Sequence, residues 1–121
     1  MKPMDEERRG AERAKARLTT MLKNLDTGRI LRVLTRDLST KGMCVVTEGL
    51  LSAGTRLEVE LKMPDRETPL TVQAEVAWSR VIDEPRKSYE SPTAETGIAF
   101  TNLSPHALAL IKHCAAFYGL S

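Results

Sequence analysis

The chain of 121 residues has the length of one domain with a hydrophobic core and is too short for two. Apolar residues make up 41% and charged residues 28%, proportions typical of a globular chain, which argues against global disorder. No apolar run approaches the roughly 18 to 20 residues that span a bilayer, and the amino terminus lacks the apolar region of a signal peptide. We therefore expect a cytoplasmic protein without membrane insertion.

The net charge of +2 is distributed unevenly along the chain. Residues 1–36 contain ten basic and five acidic side chains, a net charge of +5. The remaining residues contain eight basic and eleven acidic side chains, a net charge of −3. A basic first third favours an anionic partner, although a solvated basic face is the simpler alternative.

The residues that most often perform catalysis or bind metals form no recognisable constellation. Cys44 and Cys114 both lie among apolar residues, which indicates buried thiols in a reducing compartment. His106, His113 and Cys114 fall on one predicted helix, but the adjacent pair points about 100° apart, so we expect no metal. No nucleophile with a base and no pair of acids stands out, so we expect neither an enzyme nor a cofactor.

The first third of the chain predicts a polar arm and a hairpin. Residues 1–13 have almost no apolar side chain and predict a mobile arm. The apolar spacing in residues 14–25 fits a helix and a strand equally well. Residues 26–28 (Asp-Thr-Gly) predict a short turn, and residues 29–35 predict the strand that follows it.

The middle of the chain predicts strands, two of them with one buried and one solvent-exposed face. Residues 43–47 are apolar and β-branched, which predicts a buried strand. Apolar and polar side chains alternate over residues 57–63 and again over 70–78, the period of a half-buried strand. The turn predicted between these two segments makes them a hairpin. The alternation assigns Trp78 to the core.

The last third predicts a loop, a strand and a helix. Residues 81–95 contain two prolines, several charges and no period, so we expect a long surface loop. Residues 96–100 predict a strand. Ser104 and Pro105 predict a helix start, with Ser104 as N-cap, and Gly119 ends the element. Its apolar face, which we expect on the end of the sheet structure, comprises Leu108, Ile111, Ala115 and Tyr118.

Two polar motifs carry a resemblance to a known family. Arg8, Arg9 and Arg13 form R-R-x-x-x-R, and residues 37–42 (Asp-Leu-Ser-Thr-Lys-Gly) form D-x-S-x-x-G. In this order the motifs closely resemble those of PilZ domains, small bacterial β-barrels that bind the second messenger cyclic di-GMP. The segments 76–78 (Val-Ala-Trp) and 97–100 (Gly-Ile-Ala-Phe) are similar to strands of that family in a looser way.

The resemblance implies a mostly β fold. We expect a six- to seven-stranded antiparallel barrel with a mobile amino-terminal arm and one carboxy-terminal helix. The whole chain, residues 1–121, would be a single PilZ domain. Residues 1–13 would form the arm, 14–103 the barrel and 104–119 the helix, and the ambiguous segment 14–25 would then be a strand.

The resemblance also implies a ligand site, and the chemistry of its residues suits cyclic di-GMP. Arginine presents a planar fork of donors that meets phosphate oxygens or a guanine edge, and its plane stacks on a purine. The Asp37 carboxylate supplies acceptors for the donor edge of guanine. Gly42 permits positive φ or a close approach of the ligand. The implied contacts are Arg8, Arg9, Arg13, Asp37, Ser39 and Gly42, while Arg36 and Lys41 are expected to be exposed.

The implied function is that of a bacterial second-messenger receptor or adaptor. Binding of cyclic di-GMP would be relayed by a conformational change to an unidentified effector protein, in motility, attachment or exopolysaccharide control. One alternative is a PilZ-like adaptor that binds a protein and ignores the nucleotide. Nucleic acid polymers are not expected as partners, because aromatic residues, which stack single-stranded bases, make up only 4% of the chain.

Overall fold

The computed structural model describes residues 14–15, 18–63 and 66–119. These residues form seven strands and one helix. Residues 1–13, for which we expect a mobile arm, lie outside the described part of the chain. The elements are β1 (Ala14–Lys15), β2 (Thr19–Asn24), β3 (Ile30–Leu38), β4 (Gly42–Glu48), β5 (Arg56–Leu61), β6 (Leu70–Asp83), β7 (Thr93–Asn102) and α1 (Pro105–Gly119).

Six of the strands close into an antiparallel barrel. Around the barrel the order is β3, β2, β5, β6, β7 and β4, and a β3–β4 pairing closes the ring. The short strand β1 pairs with the end of β3, where Ala14 lies opposite Leu38 and Lys15 opposite Asp37. The expected barrel with a carboxy-terminal helix is therefore confirmed, and the ambiguous segment contains strands.

The barrel interior is filled by apolar side chains that alternate along the strands, as the pattern of β5 and early β6 predicted. The central members include Leu22, Val45, Val59, Leu61 and Val76. At this level of burial each Leu or Val side chain contributes about 1.5–3 kcal/mol of transfer free energy. The core is continuous with one face of α1.

Helix α1 begins as predicted, but its buried face is rotated. Ser104 is the N-cap: its side-chain oxygen accepts the backbone N–H of Ala107 at 3.1 Å. Among the helix side chains that the structure describes, the buried ones are Ala107, Ile111 and Cys114, a spacing of four and three residues. The predicted face was wrong at Leu108 and Ala115, which are half-buried, and the Tyr118 side chain lies outside the described part.

The loop predicted for residues 81–95 is wrong at both ends. Strand β6 runs on to Asp83, and β7 begins at Thr93, which leaves a connection of residues 84–92. The pairing of β6 with β7 shifts register between Val76 and Trp78 and again between Val81 and Asp83. Each irregularity disturbs the alternation, so the period-two signal fades although the strand continues.

Two further observations concern the described residues. No helix among them is long and apolar enough to cross a membrane. In the same part of the chain, no three histidine, cysteine or acidic side chains lie close enough together to hold a metal ion.

Candidate functional site

A cleft of about 620 Å³ lies on the outer face of the barrel, over strands β3, β4, β7 and β6. Its size falls within the range of small-molecule sites. Asp37 is the residue of the D-x-S-x-x-G motif that reaches it. The lining consists of Asp37, Met43, Cys44, Trp78, Ser79, Arg80, Glu95 and Gly97.

Four lining residues form one row across the sheet. Trp78 lies opposite Gly97, Gly97 opposite Cys44, and Cys44 opposite Asp37. Neighbouring strands are about 4.8 Å apart, so three spacings place Asp37 and Trp78 roughly 14 Å from one another at the backbone. On the far side of Asp37 the row continues to Lys15 of β1.

Two β-bulges flank this row. In β3 the extra residue is Arg36, which falls between two residues that pair with adjacent positions of β4. In β6 the extra residue is Ala77, between Val76 and Trp78. A bulge re-aims the side chains beyond it, and bulges are common beside functional sites.

The assignment of Trp78 to the core is wrong, and the bulge at Ala77 is the reason. Up to Val76 the apolar side chains of β6 point into the barrel. The extra residue changes the phase, so Trp78 emerges on the outer face with 43% of its surface exposed. The guanidinium carbon of Arg80 lies 5.6 Å from the centroid of the Trp78 ring, within reach of a cation–π interaction.

Glu95 joins the two bulged strands electrostatically. Its carboxylate accepts hydrogen bonds from Nη2 of Arg80 at 2.7 Å and from Nε of Arg80 at 3.2 Å. Nη1 of Arg36 donates to the other oxygen of Glu95. Only 12% of the Glu95 side chain is exposed, whereas Arg36 is exposed as expected. Arg36 of β3 and Arg80 of β6 are therefore both bound to one shared, largely buried carboxylate.

A chain of hydroxyl groups fixes the floor beneath this ion pair. The backbone N–H of Leu51 donates to Oγ of Ser79, and Oγ1 of Thr47 donates to the carbonyl of Gly49. Thr96 lies between Thr47 and Ser79 at 3.0 and 2.9 Å. Because each hydroxyl has one proton, Ser79 donates to Thr96 and Thr96 donates to Thr47. Strands β6, β7 and β4 are thereby tied together by oriented hydrogen bonds.

Ser39 and Gly42 build the turn between β3 and β4 instead of lining the cleft. Ser39 is buried; its hydroxyl accepts the N–H of Lys41 at 3.1 Å and lies 3.4 Å from the carbonyl of Gly42. Gly42 has no positive φ. A Cβ atom on it would overlap the carbonyl oxygen of Ile98, so β7, not a ligand, makes the close approach. The motif therefore shapes the turn that follows Asp37.

The structure brings Asp37 to the cleft, whereas Arg8, Arg9 and Arg13 lie outside the described residues. Sequence reasoning missed the contributions of Trp78, Arg80, Glu95 and Gly97. The available signal was the Trp-Ser-Arg segment at residues 78–80. Residues two apart in a strand share a face, so a tryptophan on the outer face brings the arginine to that face as well.

The architecture is that of a small antiparallel barrel domain with a cleft on its outer wall. The chain belongs to the PilZ domain family, whose model matches residues 7–117. Comparison with curated protein sequences gives no match.

Solved structures share this fold. The PilZ domain of YcgR from Escherichia coli, described with c-di-GMP, has a TM-score of 0.73 and 20% identity, with 92% of this chain and 91% of that chain covered. The inhibitor of motility MotI/DgrA from Bacillus subtilis has a TM-score of 0.63 and 21% identity over 86% of this chain. MrkH of K. pneumoniae in its apo state has a TM-score of 0.70 and 15% identity over 91%. This chain covers 48% of each of the last two.

The close contact at Gly42 predicts a large stability effect. Gly42→Ala places a methyl group against the backbone of Ile98, which cannot move without disturbing the β4–β7 pairing. We expect the free energy of unfolding, measured by urea titration, to fall by about 1–3 kcal/mol. Glu48→Ala, at the exposed end of the same strand, is the control and should change it by less than about 0.5 kcal/mol. Wild-type stability in Gly42→Ala would contradict the steric role.

Proposed function

We propose that this protein is a receptor for cyclic di-GMP that binds the dinucleotide in the outer cleft and relays binding to a protein partner. The observation that carries the proposal is that the cleft joins Asp37 of the D-x-S-x-x-G motif to the exposed Trp78 and to Arg80. Membership of the PilZ family and the likeness to the YcgR domain described with c-di-GMP support the same ligand.

Each lining group suits one part of this ligand. The Asp37 carboxylate accepts hydrogen bonds from the N1–H and N2–H₂ edge of guanine, which adenine cannot match. The exposed Trp78 ring offers a surface on which a purine stacks. Arg80, oriented by Glu95, donates towards a base edge or a phosphate. The barrel thus supplies base recognition.

The charge of the cleft supports the proposal that the arginine motif contributes to ligand binding. One arginine and two carboxylates line it, a net charge of −1, and Arg36, which binds the same Glu95 carboxylate as Arg80, brings the local net charge to zero. Such a cleft does not attract a ligand with two ionised phosphodiesters. Arg8, Arg9 and Arg13 would supply the missing positive charge. Lys15 of β1 is the cross-strand neighbour of Asp37, and Arg13 precedes it by two residues in the chain, which supports the proposal that the motif contributes to this cleft.

The proposed conformational change follows from the different roles of the arm and the barrel. Because phosphate neutralisation comes from the arm and base recognition from the barrel, the ligand links the two. We propose that the arm closes over the cleft on binding and changes the surface that an effector protein recognises. Motility, attachment and exopolysaccharide control are the candidate outputs.

Calorimetric titration with cyclic di-GMP tests the proposed ligand. Wild type should bind, and Arg9→Ala, Arg13→Ala and Asp37→Ala should each raise Kd at least about tenfold. The reason is that a hydrogen bond to a charged group contributes about 1.5–3 kcal/mol, and about 1.4 kcal/mol is a factor of ten.

Matched charge changes elsewhere control this titration. Lys23→Ala alters β2, which lies across the barrel from β7, and Glu58→Ala alters β5. Both should bind with the wild-type Kd. Absence of binding by folded wild type would contradict the proposal and favour an adaptor that ignores the nucleotide. A loss in Lys23→Ala equal to that in the arginine variants, with tighter binding in Glu58→Ala, would show that only overall charge matters.

Hydrogen exchange tests the relay. If the arm closes over the ligand, amides of residues 5–14 should exchange more slowly when cyclic di-GMP is present, because new hydrogen bonds and burial protect them. The connection of residues 84–92 is the internal control and should exchange at the same rate in both states. Identical exchange of residues 5–14 with saturating ligand would contradict arm closure while leaving the ligand assignment intact.

A further inference from the structure

The position of the Trp78 indole depends on the residue opposite it, Gly97. The two are cross-strand partners on β6 and β7, and Gly97 lines the same cleft. A Cβ atom on Gly97 would overlap the indole atoms Cε2 and Nε1. The indole therefore occupies the space that a side chain at position 97 would take.

Backbone conformation does not explain this glycine. Among the described residues positive φ occurs at Gly28, Gly49 and Gly54, so Gly97 has a conformation open to any residue. Glycine inside a strand packs no side chain and weakens the strand, and it marks places where another group approaches closely. Here the approaching group is an exposed ring rather than part of the core. The glycine therefore leaves room for a ring at the cleft rather than for a core side chain.

The adjacent cross-strand pair secures the other neighbour of the ring. Arg80 lies opposite Glu95, two residues along each strand from Trp78 and Gly97. The two hydrogen bonds from Arg80 to the Glu95 carboxylate hold the guanidinium near the indole. One pair thus makes room for the ring and the other places a cation beside it. Gly97 and Arg80 therefore define the position of the indole, although 43% of the Trp78 surface is exposed.

We propose that Gly97 is a positioning residue for ligand recognition: the absence of a side chain at Gly97 seats the Trp78 indole in the cleft, where its exposed surface stacks on a guanine base. This inference rests on the proposed function, because guanine is the base of cyclic di-GMP. A methyl group at position 97 would drive the ring away from β7 while leaving every charge of the cleft in place. The effect on binding would come from the ring alone.

Gly97→Ala tests the proposal by fluorescence and by affinity. The overlap is with a side chain that can rotate, so the variant should fold with a melting temperature close to that of wild type, unlike Gly42→Ala. Trp78 is the sole tryptophan, so emission reports on it alone. Without ligand, the emission maximum should move to longer wavelength as the ring becomes more exposed. Kd for cyclic di-GMP should rise about 5- to 150-fold, the range for loss of one base-stacking contact.

A double-mutant cycle separates positioning from a defect in the strand. In a Trp78→Ala background the colliding ring is gone, so adding Gly97→Ala should leave Kd at the value of Trp78→Ala alone. A further loss in that background would overturn the proposal, because it would place the effect in β7 itself. Unchanged emission and unchanged Kd in Gly97→Ala would overturn it as well.

Asp37→Ala separates the proposed binding of cyclic di-GMP in the cleft from the positioning role of Gly97. If folded wild type does not bind cyclic di-GMP, the proposed function fails and the role of Gly97 fails with it. If wild type binds and Asp37→Ala does not, while Gly97→Ala and Trp78→Ala bind as tightly as wild type, only the positioning role is refuted.

Discussion

The outer cleft depends on one extra residue in β6. Without the bulge at Ala77, strict alternation would carry Trp78 into the barrel, as the sequence pattern of β6 suggested. With it, the aromatic ring and Arg80 lie outside, opposite Gly97 and Glu95. The hydroxyl chain through Ser79 and the buried Thr96 then ties β6 to β7 beside the cleft. A single irregularity thus turns a structural strand into one wall of a site.

The sequence predicted the elements whose residues obey a simple period. The hairpin of β5 and early β6, the buried strand β4 and the N-cap at Ser104 follow from alternation and capping chemistry, and the structure contains them. The bulges were not predicted, because a single inserted residue does not change the composition of a strand in a recognisable way. As a result, the face on which Trp78 lies and the length of β6 were predicted wrongly. The role of Gly42 escaped for a related reason: its neighbour, the Ile98 carbonyl, comes from a strand more than fifty residues away.

The electrostatics of the cleft support the proposed division of the ligand site between the barrel and the amino-terminal arm. Arg36 and Arg80 are engaged by a shared carboxylate, so the described wall offers shape, an aromatic surface and an acceptor rather than positive charge. In the proposed function, the positive charge for a dianionic ligand comes from the R-R-x-x-x-R motif, which lies outside the described residues. A site divided in this way binds its ligand tightly only when both parts meet, so recognition and conformational change have one physical cause.

The most direct test follows the indole N–H of Trp78 in a ¹H–¹⁵N correlation spectrum during titration with cyclic di-GMP. The chain has one tryptophan, so this signal is unambiguous. We expect a saturable shift of the indole signal together with the backbone amides of Asp37, Cys44 and Gly97, the row that crosses the cleft. Saturable shifts confined to β2 and β5, with an unmoved indole signal, would show that the ligand binds elsewhere and not in the outer cleft.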